Sequence, residues 1–262
     1  MKVIKLAGIM FLLMILSVAC SNESTSKEAG KEEGDKKQEI TKEELVKKAL
    51  EKEITSMEMV TEATSTIESN EQEMTNSLTM ESVNDTSVAY AKMTDVEGET
   101  EIYADGETAY VKIPEEEWVY GPIEELGEDF SAAGFNESYQ DYIKALEEHT
   151  DVFIIKKEDK KYNLAVDNSD LTNEDLLKFI EEVFSENGFN KDITEIISFE
   201  YVTTYDEEFY LEHIEYEVKY EQTLDGETTT IASSLVADYK TNEKDKVEIP
   251  TEVKENAISA YE

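Results

Sequence analysis

The sequence predicts an α+β protein built on a mostly antiparallel sheet, and three observations carry that reading. Long stretches alternate at period two and are rich in Thr, Tyr and Val, notably residues 193–206 (ITEIISFEYVTTYD), 208–222 (EFYLEHIEYEVKYEQ) and 228–240 (TTTIASSLVADYK). Tight turn signals separate such stretches, including Asp105–Gly106 and Asp225–Gly226, and a two-residue Asp-Gly turn joins antiparallel neighbours. Only three stretches have the spacing of an amphipathic helix.

In chain order, Thr41 and Glu44 fit a capping box ahead of a helix predicted over 42–54. Its apolar face is Leu45, Val46, Ala49, Leu50 and Ile54. From Met57 the period changes to two, and a meander of about five strands follows. Turns are expected at 69–71, near Asp95–Gly98 and at Asp105–Gly106, with a stop at Pro114 and a short strand that puts Trp118 and Tyr120 on one face. Residues 122–148 hold a helical insert whose stripe is Tyr139, Tyr142, Ile143 and Leu146. A hairpin turning near Glu158–Lys160 comes next, then the clearest helix. That helix has Thr172 as N-cap, acidic residues in its first turn, Leu176, Leu177, Ile180, Val183 and Phe184 as its apolar face, and Gly188 as C-cap. Three long strands with turns at Asp206–Glu207 and Asp225–Gly226 precede an extended piece and a Pro250-started turn. The predicted order is therefore helix, five strands, helix, two strands, helix, three strands, within one domain over 41–262.

The N-terminus has a different character. Lys2 and Lys5 precede an apolar run from Leu6 to Leu16 and the small residues Ser17 and Ala19, the layout of a secretory signal peptide over 1–19. The run falls short of the ~20 apolar residues a membrane span needs. Cys20 is the one cysteine of the chain, and LSVAC resembles a bacterial lipobox. That resemblance implies a diacylglyceryl group on Cys20 and cleavage just before it; a second acyl chain gives a lasting anchor where one chain does not. Residues 21–40 carry 4 Lys and 6 acids with few apolar side chains, so segment 20–40 reads as the lipidated Cys and a flexible tether.

Composition excludes several functions. The chain has 262 residues, 24 Lys, no Arg and 63 Asp plus Glu, for a net charge of −39. Nucleic acid repels such a surface, and so do anionic headgroups. One Cys rules out a disulfide framework or a Cys-rich metal site. His149, just past a helix end, reads as a cap, and His213, between Glu212 and Glu215, as a solvent-facing strand residue. The stretch 167–175 (DNSDLTNED) lacks the ligand spacing of a calcium loop. No GxSxG, P-loop, GxGxxG or HExxH occurs, so no catalytic residue, metal or cofactor is assigned. The acidic surplus costs stability by self-repulsion and points to saline or alkaline surroundings, where salt screens it. Met57, Met59, Met74, Met80 and Met93 gather in the first strands, and Tyr90, Tyr103, Tyr110, Trp118 and Tyr120 follow. These residues fit either an ordinary sheet–helix core or the lining of an adaptable ligand cavity.

The helix-and-hairpin order, the stretch EIYADGETAYVKIPEEEWVY and the closing VEIPTEVKENA together resemble the lipoproteins of low-GC Gram-positive bacteria grouped as DUF6612. Those are similar in fold to the LolA/LolB and LppX/LprG lipoprotein carriers. The resemblance implies a strongly curved sheet, an open half-barrel, with helices across its concave side. In the better-known relatives that concavity holds acyl chains. The implied function is a lipid-anchored protein on the extracellular face of the cell membrane that binds or carries a hydrophobic, lipid-like ligand. Met59, Met74, Met80, Tyr90, Tyr103, Tyr110, Trp118 and Tyr120 are then its lining. The alternative is a non-catalytic structural or interaction lipoprotein with a filled core.

Overall fold

The computed structural model describes residues 40–68, 72–83, 87–123, 132–184, 194–224 and 227–260. The signal peptide, Cys20, the tether, the turns at 69–71 and Asp225–Gly226, and the Gly188 cap lie outside the described residues.

The first helix, α1 (Lys42–Leu50), starts where the capping box places it. The Thr41 hydroxyl accepts from the Glu44 amide at 3.2 Å, and the Glu44 carboxylate accepts from the Thr41 amide at 3.3 Å. It ends four residues earlier than the apolar spacing suggests. Asn242 accepts from the Thr55 amide at 2.7 Å and donates to the Glu53 carbonyl at 3.1 Å. These bonds hold the backbone extended there, and Ile54 is buried from the connection instead.

A six-strand meander follows: β1 (Ser56–Ile67), β2 (Gln72–Val83), β3 (Val88–Asp95), β4 (Gly98–Asp105), β5 (Thr108–Lys112) and β6 (Val119–Pro122). The sixth is the short strand expected around Trp118 and Tyr120, which pairs with β5. Gly106 takes φ +79° in the β4–β5 turn, a left-handed conformation that glycine adopts without a Cβ penalty. Gly98 takes φ +132°, and a Cβ there would lie 2.8 Å from the Pro114 ring, so both backbone angle and space require glycine.

Next come α2 (Ala132–Glu148), the hairpin β7 (Phe153–Glu158) and β8 (Lys161–Val166), and α3 (Asn173–Phe184). Thr172 and Asp175 cap α3 reciprocally: the Thr172 hydroxyl accepts from the Asp175 amide at 3.2 Å, and the Asp175 carboxylate accepts from the Thr172 amide at 2.9 Å. The long strands β9 (Thr194–Tyr205), β10 (Leu211–Leu224) and β11 (Glu227–Thr241) complete the second half.

All strands join one sheet in the order β12-β6-β5-β4-β3-β2-β1-β11-β10-β9-β8-β7, where β12 (Ile258–Ser259) is a short parallel edge strand on β6. Every other pairing is antiparallel. β12 and β7 do not pair, so the sheet stays open. This is a curved half-barrel with α1, α2 and α3 on its concave side. Leu45, Val46 and Ala49 of α1, Phe135, Tyr139, Ile143 and Leu146 of α2, and Phe179, Ile180, Val183 and Phe184 of α3 share one core with the sheet's inner residues. Aromatic contacts knit the α3 side: Phe179 lies edge-on to Phe153, Phe199 and Tyr201 at 5.4–5.7 Å, and Phe184 stacks on Tyr216 at 4.6 Å. Such pairs add ~0.5–1.5 kcal/mol each beyond area burial.

After β11 the chain crosses the outer face. The Lys244 amide donates to the Ser56 hydroxyl, and the Lys244 ammonium pairs with Glu58 and Glu81. Val247, Ile249 and Val253 are the buried residues of this strap, which carries α4 (Thr251–Asn256) and ends in β12. Among the described residues no helix is long and apolar enough to cross a membrane.

Candidate functional site

Strand pairing decides which residues meet inside. Met59 stands opposite Met80 on β2 and Tyr239 on β11, and Thr61 stands opposite Leu78 and Ala237. Residues directly across a ladder share a face, so these form the concave floor at the seam of the two half-sheets. With Met57, Ile214 of β10 and Leu235 of β11 they line a cavity roofed by Phe135, Ser138, Tyr139 and Tyr142 of α2 and bounded by Phe184 of α3. Among the described residues no charged side chain lines it. Its volume is about 50 Å³, room for one or two waters at ~30 Å³ each.

Tyr139, Tyr142 and Tyr239 bring phenols to this lining, and Tyr201 and Tyr205 are buried outside it. Tyr201, Thr203 and Tyr205 alternate along β9 and are buried. The Tyr142 hydroxyl hydrogen-bonds the Tyr201 hydroxyl. Tyr139 lies edge-on to Tyr239 with ring centroids 6.1 Å apart, and its hydroxyl accepts from the Leu211 amide at 3.3 Å. The Tyr205 and Thr203 hydroxyls make no well-formed hydrogen bond among the described residues, although Thr203 stands close enough to Tyr201 and Tyr205 to oppose part of their pKa rise. Desolvation raises the pKa of Tyr139, Tyr142, Tyr201, Tyr205 and Tyr239 well above the ordinary phenol value, so all five stay neutral donors wherever the protein is folded.

The structure distributes the sequence-expected residues over two faces. Met59 and Met80 line the cavity. Met74 faces inward opposite Ser65, further along the β1–β2 ladder and outside the lining. Tyr90, Tyr103, Tyr110 and Tyr120 are cross-strand neighbours on the outer face of β3–β6, where Tyr90 stands opposite Glu81. Trp118 joins them 5.7 Å from Tyr103. The inward residues of those strands are instead Ala89, Ala91, Ile102, Ala104 and Ala109. Partial burial, then the nearby Glu101 carboxylate, raises the Tyr90 pKa. Sequence reasoning did not assign Tyr139, Tyr142 or Tyr239 to the site. The apolar stripe that holds Tyr139 and Tyr142 was the available signal.

The remaining candidates hold the fold together. The His149 ring bonds Glu182 at 2.7 Å and lies edge-on to Phe179, tying the end of α2 to α3. His213 bonds Asp238 at 2.8 Å between β10 and β11. Asp167 accepts from the Ser169 amide and Asp175 from Thr172, so the acids of 167–175 serve turns and caps. The described residues hold no cluster of three or more His, Cys, Asp or Glu arranged for a metal.

The profile of a family of unknown function, DUF6612, matches residues 41–258. The chain belongs to DUF6612. This DUF6612 chain matches no curated protein by sequence. It is similar to a LolA superfamily protein from Nitrosomonas europaea at 10% identity and TM-score 0.27, covering 82% of this chain and 97% of that one. It is also similar to a DUF1329 family protein from Desulfovibrio piger at 10% identity and TM-score 0.24, covering 78% and 93%.

Proposed function

We propose that this protein is a non-catalytic lipoprotein on the extracellular face of a Gram-positive cell membrane that binds or carries a hydrophobic ligand between α2 and the sheet. The observation that carries the reading is the cavity under α2. It is walled by Met, Leu and aromatic side chains, free of charge, and placed where a helix rather than a strand forms the roof. Methionine suits such a site because its unbranched thioether adapts to irregular apolar shapes. At about 50 Å³ the cavity is too small for an alkyl chain, so uptake requires α2 to move outward. Cys20, following the apolar leader, would hold the protein at the membrane, and residues 21–40 would space the half-barrel from it.

The small volume also favours a second reading, a filled core whose function lies in surface contacts with another envelope protein. Mass spectrometry of lipids extracted from the full chain carrying Cys20→Ser separates the two. The carrier reading expects an apolar lipid at near-equimolar amount and saturable binding of a neutral pyrene-alkyl probe. Neither signal appearing would leave the filled core. Radiolabelled palmitate should mark the wild-type chain and not Cys20→Ser; equal labelling of both refutes the anchor.

A further inference from the structure

The outer face of the sheet holds a second hollow. Tyr90, Tyr103, Tyr110 and Tyr120 stand side by side across β3–β6. Lys254 of α4 pairs with Asp105 at 3.7 Å, and Glu252 lies near Tyr103, so the strap passes over the middle of this row. Tyr120, at 41% exposure, ends the row in the open. Beside it runs a groove of about 610 Å³, within the ~300–1,000 Å³ of small-molecule sites. Thr108 and Pro122, paired across β5 and β6, continue the surface from Tyr120, and Glu107 of the β4–β5 turn and Ser259 of β12 join the lining. Polar and apolar groups share this lining evenly. The Glu107 carboxylate and the Thr108 hydroxyl make no hydrogen bond or ion pair among the described residues. Among those residues no Lys or His lines the groove.

These features select among ligands. An alkyl chain gains little from a lining that is half polar. An anion meets the Glu107 carboxylate, with Asp105 close by on the same turn, and no lining cation. A peptide strand would need the free edge of β6, which β12 already takes at Val119 and Tyr120. We infer that the groove beside Tyr120 binds an uncharged glycan. A pyranose ring has an apolar face of C–H bonds and a rim of hydroxyls. The apolar face packs on the electron-rich face of the Tyr120 ring and on Pro122. The hydroxyls donate to the Glu107 carboxylate, in charge-assisted bonds about twice as strong as neutral ones, and bond the Thr108 hydroxyl. Strand pairing holds Tyr120 beside Tyr110 and Thr108 beside Pro122, so the platform needs little ordering when the glycan arrives. Glycan binding here is independent of any ligand under α2.

The test titrates cellotriose, tri-N-acetylchitotriose, trigalacturonate and choline calorimetrically into the full chain carrying Cys20→Ser. At least one of the two neutral trisaccharides should bind with a Kd of about 1 mM or tighter. Trigalacturonate should bind at least about tenfold more weakly, because its carboxylates face Glu107 and Asp105. Tyr120→Ala and Glu107→Gln should each weaken the neutral trisaccharide about three- to tenfold, the first by removing the ring and the second by removing the charge on the acceptor. Both side chains are exposed, so the variants should keep the wild-type circular dichroism spectrum. Failure of both neutral trisaccharides to bind, trigalacturonate binding as tightly as they do, or an affinity indifferent to both substitutions overturns the inference. Choline binding in their place overturns it too, since the groove would then be a site for an organic cation.

Discussion

Raising the pH above 10 should unfold this protein steeply. Tyr139, Tyr201 and Tyr205 are 3%, 2% and 0% exposed, and desolvation lifts each phenol pKa above the ordinary value of 10.0. A folded pKa above the unfolded one means the folded state keeps its protons while the unfolded state sheds them. The stabilising contribution is complete below pH 10 and declines as pH rises beyond it. Each such phenol removes ~1.4 kcal/mol per pH unit in that range. The three together remove about 4 kcal/mol by pH 11, and Tyr142 and Tyr239 deepen the loss. A domain has only ~5–15 kcal/mol to lose. The assay follows tyrosinate absorbance and far-ultraviolet circular dichroism through one alkaline titration. Exposed tyrosines should ionise first, and the buried group should appear together with loss of the dichroism signal. Smooth ionisation of all 14 tyrosines with the fold intact would refute the burial argument. The same effect sets a ceiling on any alkaline setting that the acidic composition suggests.

Other outcomes follow from single contacts. Tyr205→Phe removes a buried hydroxyl with no partner and should stabilise the protein by ~1–2 kcal/mol, raising Tm by ~2–6 °C in a thermal melt; a fall of similar size would mean the hydroxyl is bonded. Thr41→Ala breaks the capping box of α1 and should cost ~1 kcal/mol by urea denaturation. Ile143→Ala, at 0% exposure in the middle of α2, should cost ~2–5 kcal/mol; a cost below 1 kcal/mol would show α2 loosely docked. Lys240 and Lys244 hold the Glu58 carboxyl below its usual pKa of 4.5. That contribution is present above pH 4.5 and lost as pH falls through the lowered value, so Glu58→Gln should flatten the acid limb of a Tm–pH profile.

Much of this architecture is legible in the sequence because backbone chemistry writes it locally. Thr41 with Glu44, Thr172 with Asp175, and Asp105–Gly106 act within a few residues, and the structure uses all three. Period two also identifies the strands, yet it leaves open which face is inner. Tyr90, Tyr103 and Tyr110 alternate with Ala89, Ala91, Ala104 and Ala109, and the bulky set is the natural choice for a core. Here the small set faces inward, and the tyrosines lean on one another across the outer face beside the C-terminal strap. That choice depends on a strap more than a hundred residues away in sequence, so no local window reveals it. Met59 and Met80 were findable because β1 and β2 are hairpin neighbours. Their partners in the lining, Tyr239 and Tyr142, come from two other elements, and the β1–β11 seam brings Tyr239 beside Met59. The early stop of α1 has the same origin, since Asn242 acts on it from the end of β11.

The β1–β11 seam also has a temporal meaning. The first strand of the chain finds one of its two neighbours only when the last long strand exists, and the paired ladder runs from Met57–Thr241 to Ile67–Ile231. Until some 240 residues have been made, the leading six strands form an unfinished sheet with both borders open, since β6 gains β12 only from Ile258 and Ser259. Contacts so distant along the chain make assembly slow. A nascent molecule therefore spends its early life without a sealed interior, exposed to proteases if the final strand is delayed.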